Sequence, residues 1–259
     1  MSTGHLRDGD AVRIMRVLED ARHDDPGAAM PWALLDGLLR LVPCDLDVSY
    51  QHHVPAAHTT RLLQWTAPGS HRGVESIGPC PDDPFWGEWS RSMCSLPLRT
   101  GDLQSVIQTG DFLPTERARR ADPMLQVLGD LRHSMIVSLP AAPGEARRVC
   151  FQRASGPPFS ERDRAVAALA RPHLHEIWLD AERRRRGVPR LTDREWEVLE
   201  RAAAGMAYAD IAAELFVSIG TVRKHMEHVR ERLGVHSVTA AAAVAFPRPL
   251  RAADGRRCR

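Results

Sequence analysis

Long apolar runs are missing from this chain of 259 residues. No stretch approaches the roughly 18 to 20 apolar residues that a membrane span requires, and the opening MSTGHLRDGD is too polar for a secretory signal. A cytoplasmic protein without membrane contact is therefore expected. Cysteine is scarce: Cys44, Cys80, Cys94, Cys150 and Cys258 are odd in number, scattered and free of any CxxC pair. That composition favours reduced thiols over a disulfide framework or a zinc finger. An excess of charge is also absent. With 35 basic against 33 acidic residues the formal net charge is +2, so any nucleic-acid surface must be local. Lysine is almost missing, Lys224 being the sole one. Three chemistries lack their signatures. Without G-x-x-x-x-G-K-[ST] an ATP-binding input is not expected, and without G-x-S-x-G or a paired-carboxylate setting neither is an enzyme. A phosphoacceptor domain would place acids after a first strand, whereas Asp24-Asp25 follow a helical stretch.

What is present divides the chain in two, since its length allows two domains. From Asp163 to Arg186 the residues Val166, Leu169, Ala170, Leu174, Ile177 and Trp178 recur at helical spacing. The pattern ends in Arg183-Arg184-Arg185-Arg186, read as a solvated helix end, and then Gly187-Val188-Pro189, which stops a helix. The expected organisation is a first domain over 1–186, a linker over 187–190, a second domain over 191–246 and a disordered basic tail over 247–259.

In the second domain, Thr192 and Glu195 form a capping box, with Trp196, Leu199 and Ala203 as the buried stripe behind it. Gly205 ends that helix. A short helix from Tyr208 to Leu215 follows, turning inward Ile211, Ala212 and Leu215, and Phe216-Val217 makes a turn. Ser218 is a natural N-cap for a third helix reaching Leu233, Gly234 stops it, and Ser237 caps an alanine-rich fourth helix reaching Phe246. At 100° per residue Val222, Met226, Val229 and Leu233 fall on one narrow stripe of the third helix, which must be its core face. The opposite side carries Gly220, Arg223, Lys224, Glu227, His228 and Glu231. Long donors in the first turns of an exposed helix, at its positive dipole end, suit entry into a DNA major groove.

Leu191-Thr192-Asp193-Arg194-Glu195, Val198-Leu199, Gly205, Ile211-Ala212, Leu215, Ser218, Thr221-Val222-Arg223, His225 and Leu233-Gly234-Val235 together resemble the LuxR/FixJ/NarL family of helix-turn-helix effector domains. The resemblance covers about a fifth of the chain. It implies an all-α four-helix domain that binds double-stranded DNA with Arg223, Lys224 and Glu227 facing bases. It places Thr221 and Arg230 near phosphates, with Ser218 and His228 on the same surface. It also implies a homodimer on an inverted repeat, paired through Val238, Ala241, Ala242 and Ala245 of the fourth helix. The sequence departs from the family at Ala207-Tyr208, where Ser-Asn is usual, at His228-Val229, where Asn-Ile is usual, and at Val238, where arginine is common.

The first domain shows helical stretches at Asp10–Ala21 and Ala33–Leu41 and strand-like stretches at Leu46–Val54, Arg61–Thr66, Met135–Pro140 and Arg147–Arg153. Its clearest helical block between them is Pro114–Leu131. The final strand pair, with Gly156-Pro157-Pro158-Phe159-Ser160-Glu161-Arg162-Asp163-Arg164 and Arg171-Pro172-His173-Leu174, resembles the sensor half of single-chain LuxR-type regulators. That implies an α+β fold in which a GAF-like antiparallel sheet with flanking helices is joined by a long helix to the helix-turn-helix domain.

Trp65, Phe85, Trp86, Trp89, Met93 and Met135 are candidates for a pocket, though core packing explains large residues as well. Acyl-homoserine-lactone sensors of the family carry a tryptophan-tyrosine-aspartate pattern. Asp83-Pro84-Phe85-Trp86-x-x-Trp89 matches only part of it, so that ligand class is not expected. His52, His53, His58 and His71 with Cys80 and Cys94 match no metal spacing, and neither a metal nor a cofactor is expected. The expected function is a DNA-binding transcription regulator governed by an unidentified small-molecule or protein signal, with RNA polymerase as a further candidate partner. The competing reading makes the first domain an interaction or dimerisation module without a small-molecule ligand.

Overall fold

The computed structural model describes residues 6–246; the tail expected over 247–259 lies outside them. The chain divides into two compact units, the first running to Ala181 and the second beginning at Glu182.

The first unit opens with α1 (Asp10–His23) and α2 (Trp32–Leu41), followed by β1 (Asp47–Val54), β2 (Thr59–Ala67) and β3 (His71–Ile77). Short elements come next: α3 (Pro84–Trp89), α4 (Leu96–Thr100), β4 (Val106–Gln108), α5 (Thr109–Phe112), α6 (Glu116–Ala121) and α7 (Pro123–Val127). Then β5 (His133–Leu139) and β6 (Ala146–Arg153) lead into α8 (Glu161–Arg185). The six strands form one sheet in the order β3-β2-β1-β6-β5-β4, and every paired neighbour is antiparallel. β3 and β4 were not legible in the sequence. The helical block expected over Pro114–Leu131 breaks in two because Asp122, extended before Pro123, ends α6 and caps α7.

Alternation along the strands gives the sheet two different faces. Val48 and Tyr50 of β1, Met135 and Val137 of β5, and Val149 and Phe151 of β6 share a buried core with Leu18, Leu34, Leu38, Leu174 and Ile177 from α1, α2 and α8. Ser160 caps α8, accepting from Asp163 N at 3.2 Å while Asp163 accepts from Ser160 N at 3.0 Å. Pro172 lies inside α8 without ending it. The other sheet face is polar at its centre and is described below.

The second unit holds α9 (Asp193–Ala203), α10 (Tyr208–Glu214), α11 (Ile219–Leu233) and α12 (Val238–Ala245). Val198, Leu199, Ile211, Val222, Met226 and Val229 make its core. The buried stripe of α9 runs through Glu195, Val198 and Leu199; Ala203, expected inside, is exposed. The rotation has a polar cause. Glu195 is buried with its carboxylate on Thr192 N at 2.8 Å and on Arg232 Nη1 of α11 at 3.0 Å, which turns that flank of the helix inward. The end of α8 also belongs to this unit, since Arg183 stacks its guanidinium 3.6 Å from the Trp196 ring and Arg186 donates to the Phe246 carbonyl. The second compact unit accordingly begins at Glu182.

Cys44, Cys94 and Cys150 are buried free thiols, with burial pushing Cys44 and Cys150 up to about 12.

Candidate nucleic-acid interface and effector cavity

In the second unit the turn between α10 and α11 fixes where the exposed helix begins. Phe216 takes a left-handed φ of 54° and stands 94% exposed. Its neighbour Val217 donates from its backbone to Ala212 O at 2.9 Å, closing the end of α10. Arg194 reinforces that end, one guanidinium nitrogen on Glu197 and the other on the Leu215 carbonyl at 2.5 Å. The arginine and glutamate of the Thr192–Glu195 motif therefore hold the helices to one another. Ser218 starts α11 as expected, its Oγ accepting from Thr221 N at 3.0 Å and lying 2.8 Å from Thr221 Oγ1. Gly234 closes α11 in a left-handed conformation at φ 63°.

Along α11, Val222, Met226, Val229 and Leu233 are buried and Gly220, Arg223, Lys224 and Glu227 are exposed. Thr221, His228 and Arg230 are half-buried at the flanks of that face. Arg194, Arg201 and Arg232 of this unit are tied to acids at Glu197, Glu214 and Glu195. Among the described residues Arg223 and Lys224 have no such acid, so their charges stand free at the helix's positive end. The four proposed pairing residues of α12 separate. Ala241 and Ala245 are fully buried in the unit's own core, which removes them from any surface for a second copy, whereas Val238 and Ala242 stay half-exposed.

In the first unit the polar face of the sheet floors a cavity of about 300 Å³. Alternation brings Gln51 and His53 of β1, Ser134 of β5, and Arg148 and Gln152 of β6 to this floor. Phe85, Trp86, Met93, Met124 and Leu125 are among the apolar residues that line the remainder. Of the six residues expected there, Phe85, Trp86 and Met93 line the cavity. Met135 does not, because its place on β5 turns it to the helix-covered face. Trp65 lies against Gly73 of the neighbouring strand instead, where any side chain at 73 would collide with its ring. Trp89 supports the site from behind, packed on Phe85, Trp86 and His53 and 4.9 Å from the Arg148 guanidinium.

The adjacent histidines of β1 point to opposite faces, so they cannot ligate one ion together. His52 meets Glu145 at 2.9 Å on the helix side, where Glu145 also pairs with Arg61 at 2.7 Å. His53 faces the cavity side, and burial, with the nearby positive charge of Arg148, holds it well below its ordinary value. The ring's Nε2 lies 3.1 Å from both Arg148 Nη2 and Gln51 Oε1, and its Nδ1 lies 3.0 Å from Thr60 Oγ1.

The family match among known proteins falls on the second unit. Residues 189–245 match the sequence model of the family "Bacterial regulatory proteins, luxR family". A nitrate/nitrite response regulator protein homolog of Haemophilus influenzae is 45% identical over 56 residues, 22% of this chain and 27% of that protein. The probable transcriptional regulatory protein NarL of Mycobacterium tuberculosis is 47% identical over 58 residues, again 22% of this chain and 27% of that one. The chain thus spans about a quarter of the length of these curated relatives. Among solved structures, SdiA in complex with octanoyl-rac-glycerol aligns over 92% of this chain and 96% of its own, at 17% identity and a TM-score of 0.35. Residues 189–245 form a helix-turn-helix domain of the LuxR type.

Proposed function

We propose that this protein is a DNA-binding transcription regulator. It binds an inverted repeat as a homodimer and is governed by a signal received in the first unit. The observation that carries the proposal is α11, capped by Ser218, with its core stripe buried and Arg223 and Lys224 presented free at its N-terminal end. Inserted in a major groove, Arg223 and Lys224 would reach guanine edges and Glu227 a cytosine amine. Ser218, Thr221 and Arg230 would meet phosphates and fix the helix's register. Two copies, paired in part through the half-exposed Val238 and Ala242 edge of α12, would read half-sites about one helical turn apart.

The first unit acts in this account as a GAF-like sensor. Its antiparallel sheet, helical on one face and hollowed by a cavity on the other, supports an input of small-molecule size. The helix α8 carries the chain from that unit into the reading domain, and the signal would act through it. The test is selection from a random duplex pool with the full chain. An enriched inverted repeat whose binding vanishes in Arg223→Ala/Lys224→Ala is expected. Failure to enrich any sequence, or enrichment indifferent to the double variant, would overturn the proposal.

A further inference from the structure

The cavity in the first unit contains a buried positive charge with no acid beside it among the described residues. Arg148 projects from the middle of β6 onto the cavity floor and is 4% exposed. Its Nε donates to Gln51 Oε1 at 2.9 Å, its Nη1 to the Cys94 carbonyl at 3.2 Å and its Nη2 to His53 Nε2 at 3.1 Å. All three partners are neutral, and among the described residues no carboxylate pairs with it. The half-buried Arg162 and Arg153 are paired with Asp10 and Asp163, whereas Arg147, the other buried arginine, has no acid among the described residues and lays its guanidinium 4.0 Å from the Trp178 ring on the opposite face of the sheet. A buried guanidinium without an anion is strongly disfavoured unless something else supplies the missing charge.

The remaining geometry narrows what that would be. A guanidinium has five N–H donors and three are engaged, so two remain for the two oxygens of one carboxylate. Arg148 is the sole cationic lining residue, His53 being neutral, which matches a single negative charge better than a phosphate's two. Two acids line the cavity as well, Asp83 and Asp122. Each is turned to its own helix start, Asp83 accepting from Phe85 N at 2.9 Å and Asp122 from Leu125 N at 2.9 Å. Opposite the polar floor, Phe85, Trp86, Met93 and Leu125 offer an apolar wall. The volume equals the liquid share of about ten waters, room for a compact molecule.

We infer that the cavity binds a small monocarboxylate with an apolar body, its carboxylate on Arg148 and its alkyl or aryl body against Phe85, Trp86 and Met93. This rests on the proposal that the first unit receives the signal, and it names the chemical class of that signal. Gln51 and His53 act as positioning residues, holding the guanidinium from the side so that its unused donors face the ligand.

Calorimetry on the full chain tests this with octanoate, decanoate, 2-naphthoate and phenylacetate, each against its own primary amide. The amide preserves shape and removes the charge. At least one acid is expected to bind about tenfold or more tightly than its amide, and Arg148→Gln to bring the two within about twofold. Arg148→Lys keeps the charge and should keep part of the acid preference. Equal binding of acid and amide, acid preference surviving in Arg148→Gln, or no binding by any acid would overturn the inference. Selecting DNA with the same preparation without acid separates the two proposals. Acid binding without sequence selection sinks the regulator and leaves the pocket, and selection without acid binding does the reverse.

Discussion

The two units of this protein are built on different scales of interaction. In the second, the helix starts are set locally: Thr192 with Glu195, Ser218 with Thr221 and Ser237 with Ala240 act across three residues. In the first, the central strand pair joins Asp47 to Gln152 and His53 to Ala146, about a hundred residues apart, and the cavity draws lining from β2, β3, α3, α5, α7 and β5 between them. Local units reveal themselves through short motifs. Sheets assembled from distant strands reveal their faces only once the neighbours are known.

The largest expected effect belongs to the reading helix. Base-contacting side chains are worth about 1–3 kcal/mol each. Arg223→Ala/Lys224→Ala should therefore weaken binding to a selected site by about 2–6 kcal/mol while leaving the thermal unfolding of the protein unchanged, as anisotropy and calorimetry would report. A similar loss from a charge-removing change at Arg194 or Arg232 without unfolding would erase the distinction between reading and bracing residues. Next, Leu199→Ala, fully buried in the second unit, should lower that unit's stability by about 2–5 kcal/mol by chemical denaturation.

The first unit has its own signature in pH. His53 is kept neutral in the folded chain by burial first and by Arg148 second. It gains its proton chiefly on unfolding, so its stabilisation is full above pH 6.5 and drains away as pH falls below that value. Between pH 6 and 5 the stability of the parent should fall more steeply than that of His53→Gln, by about 1.4 kcal/mol per unit. Asp47, pushed up to about 6 by burial, acts in the opposite sense over this range. It is present in both proteins, so the difference between them isolates His53. Equal slopes would mean that His53 is not held neutral. The smallest effect is expected at α10, whose N-cap Ala207 makes no side-chain bond. Ala207→Ser should stabilise the second unit by about 1 kcal/mol.

Legibility followed the same divide. The caps at Ser160, Thr192, Ser218 and Ser237 and the core stripe of α11 could be read directly, because 3.6-residue periodicity and capping chemistry are written in neighbouring letters. Ala241 and Ala245 misled because an alanine-rich helix has no polar face to mark its outside. Ala203 misled because the Glu195–Arg232 pair, 37 residues apart, sets the rotation of α9. In the first unit β4 is three residues long, and β3 carries His71-Arg72-Gly73, so neither shows an apolar alternation. Met135 was assigned to the cavity for its size. Its strand parity, which decides the matter, depends on pairing with Phe151. Arg148 had no signal of its own beside Arg147; only the sheet shows that one stacks on Trp178 of α8 and the other enters the cavity.

Genome-wide occupancy of the tagged full-length protein in its own host, beside the Arg223→Ala/Lys224→Ala variant, tests the central claim most directly. Sharp peaks that share an inverted repeat and disappear in the variant are the predicted result. Peaks that persist unchanged in the variant, or a flat profile from a folded and expressed protein, would contradict the account.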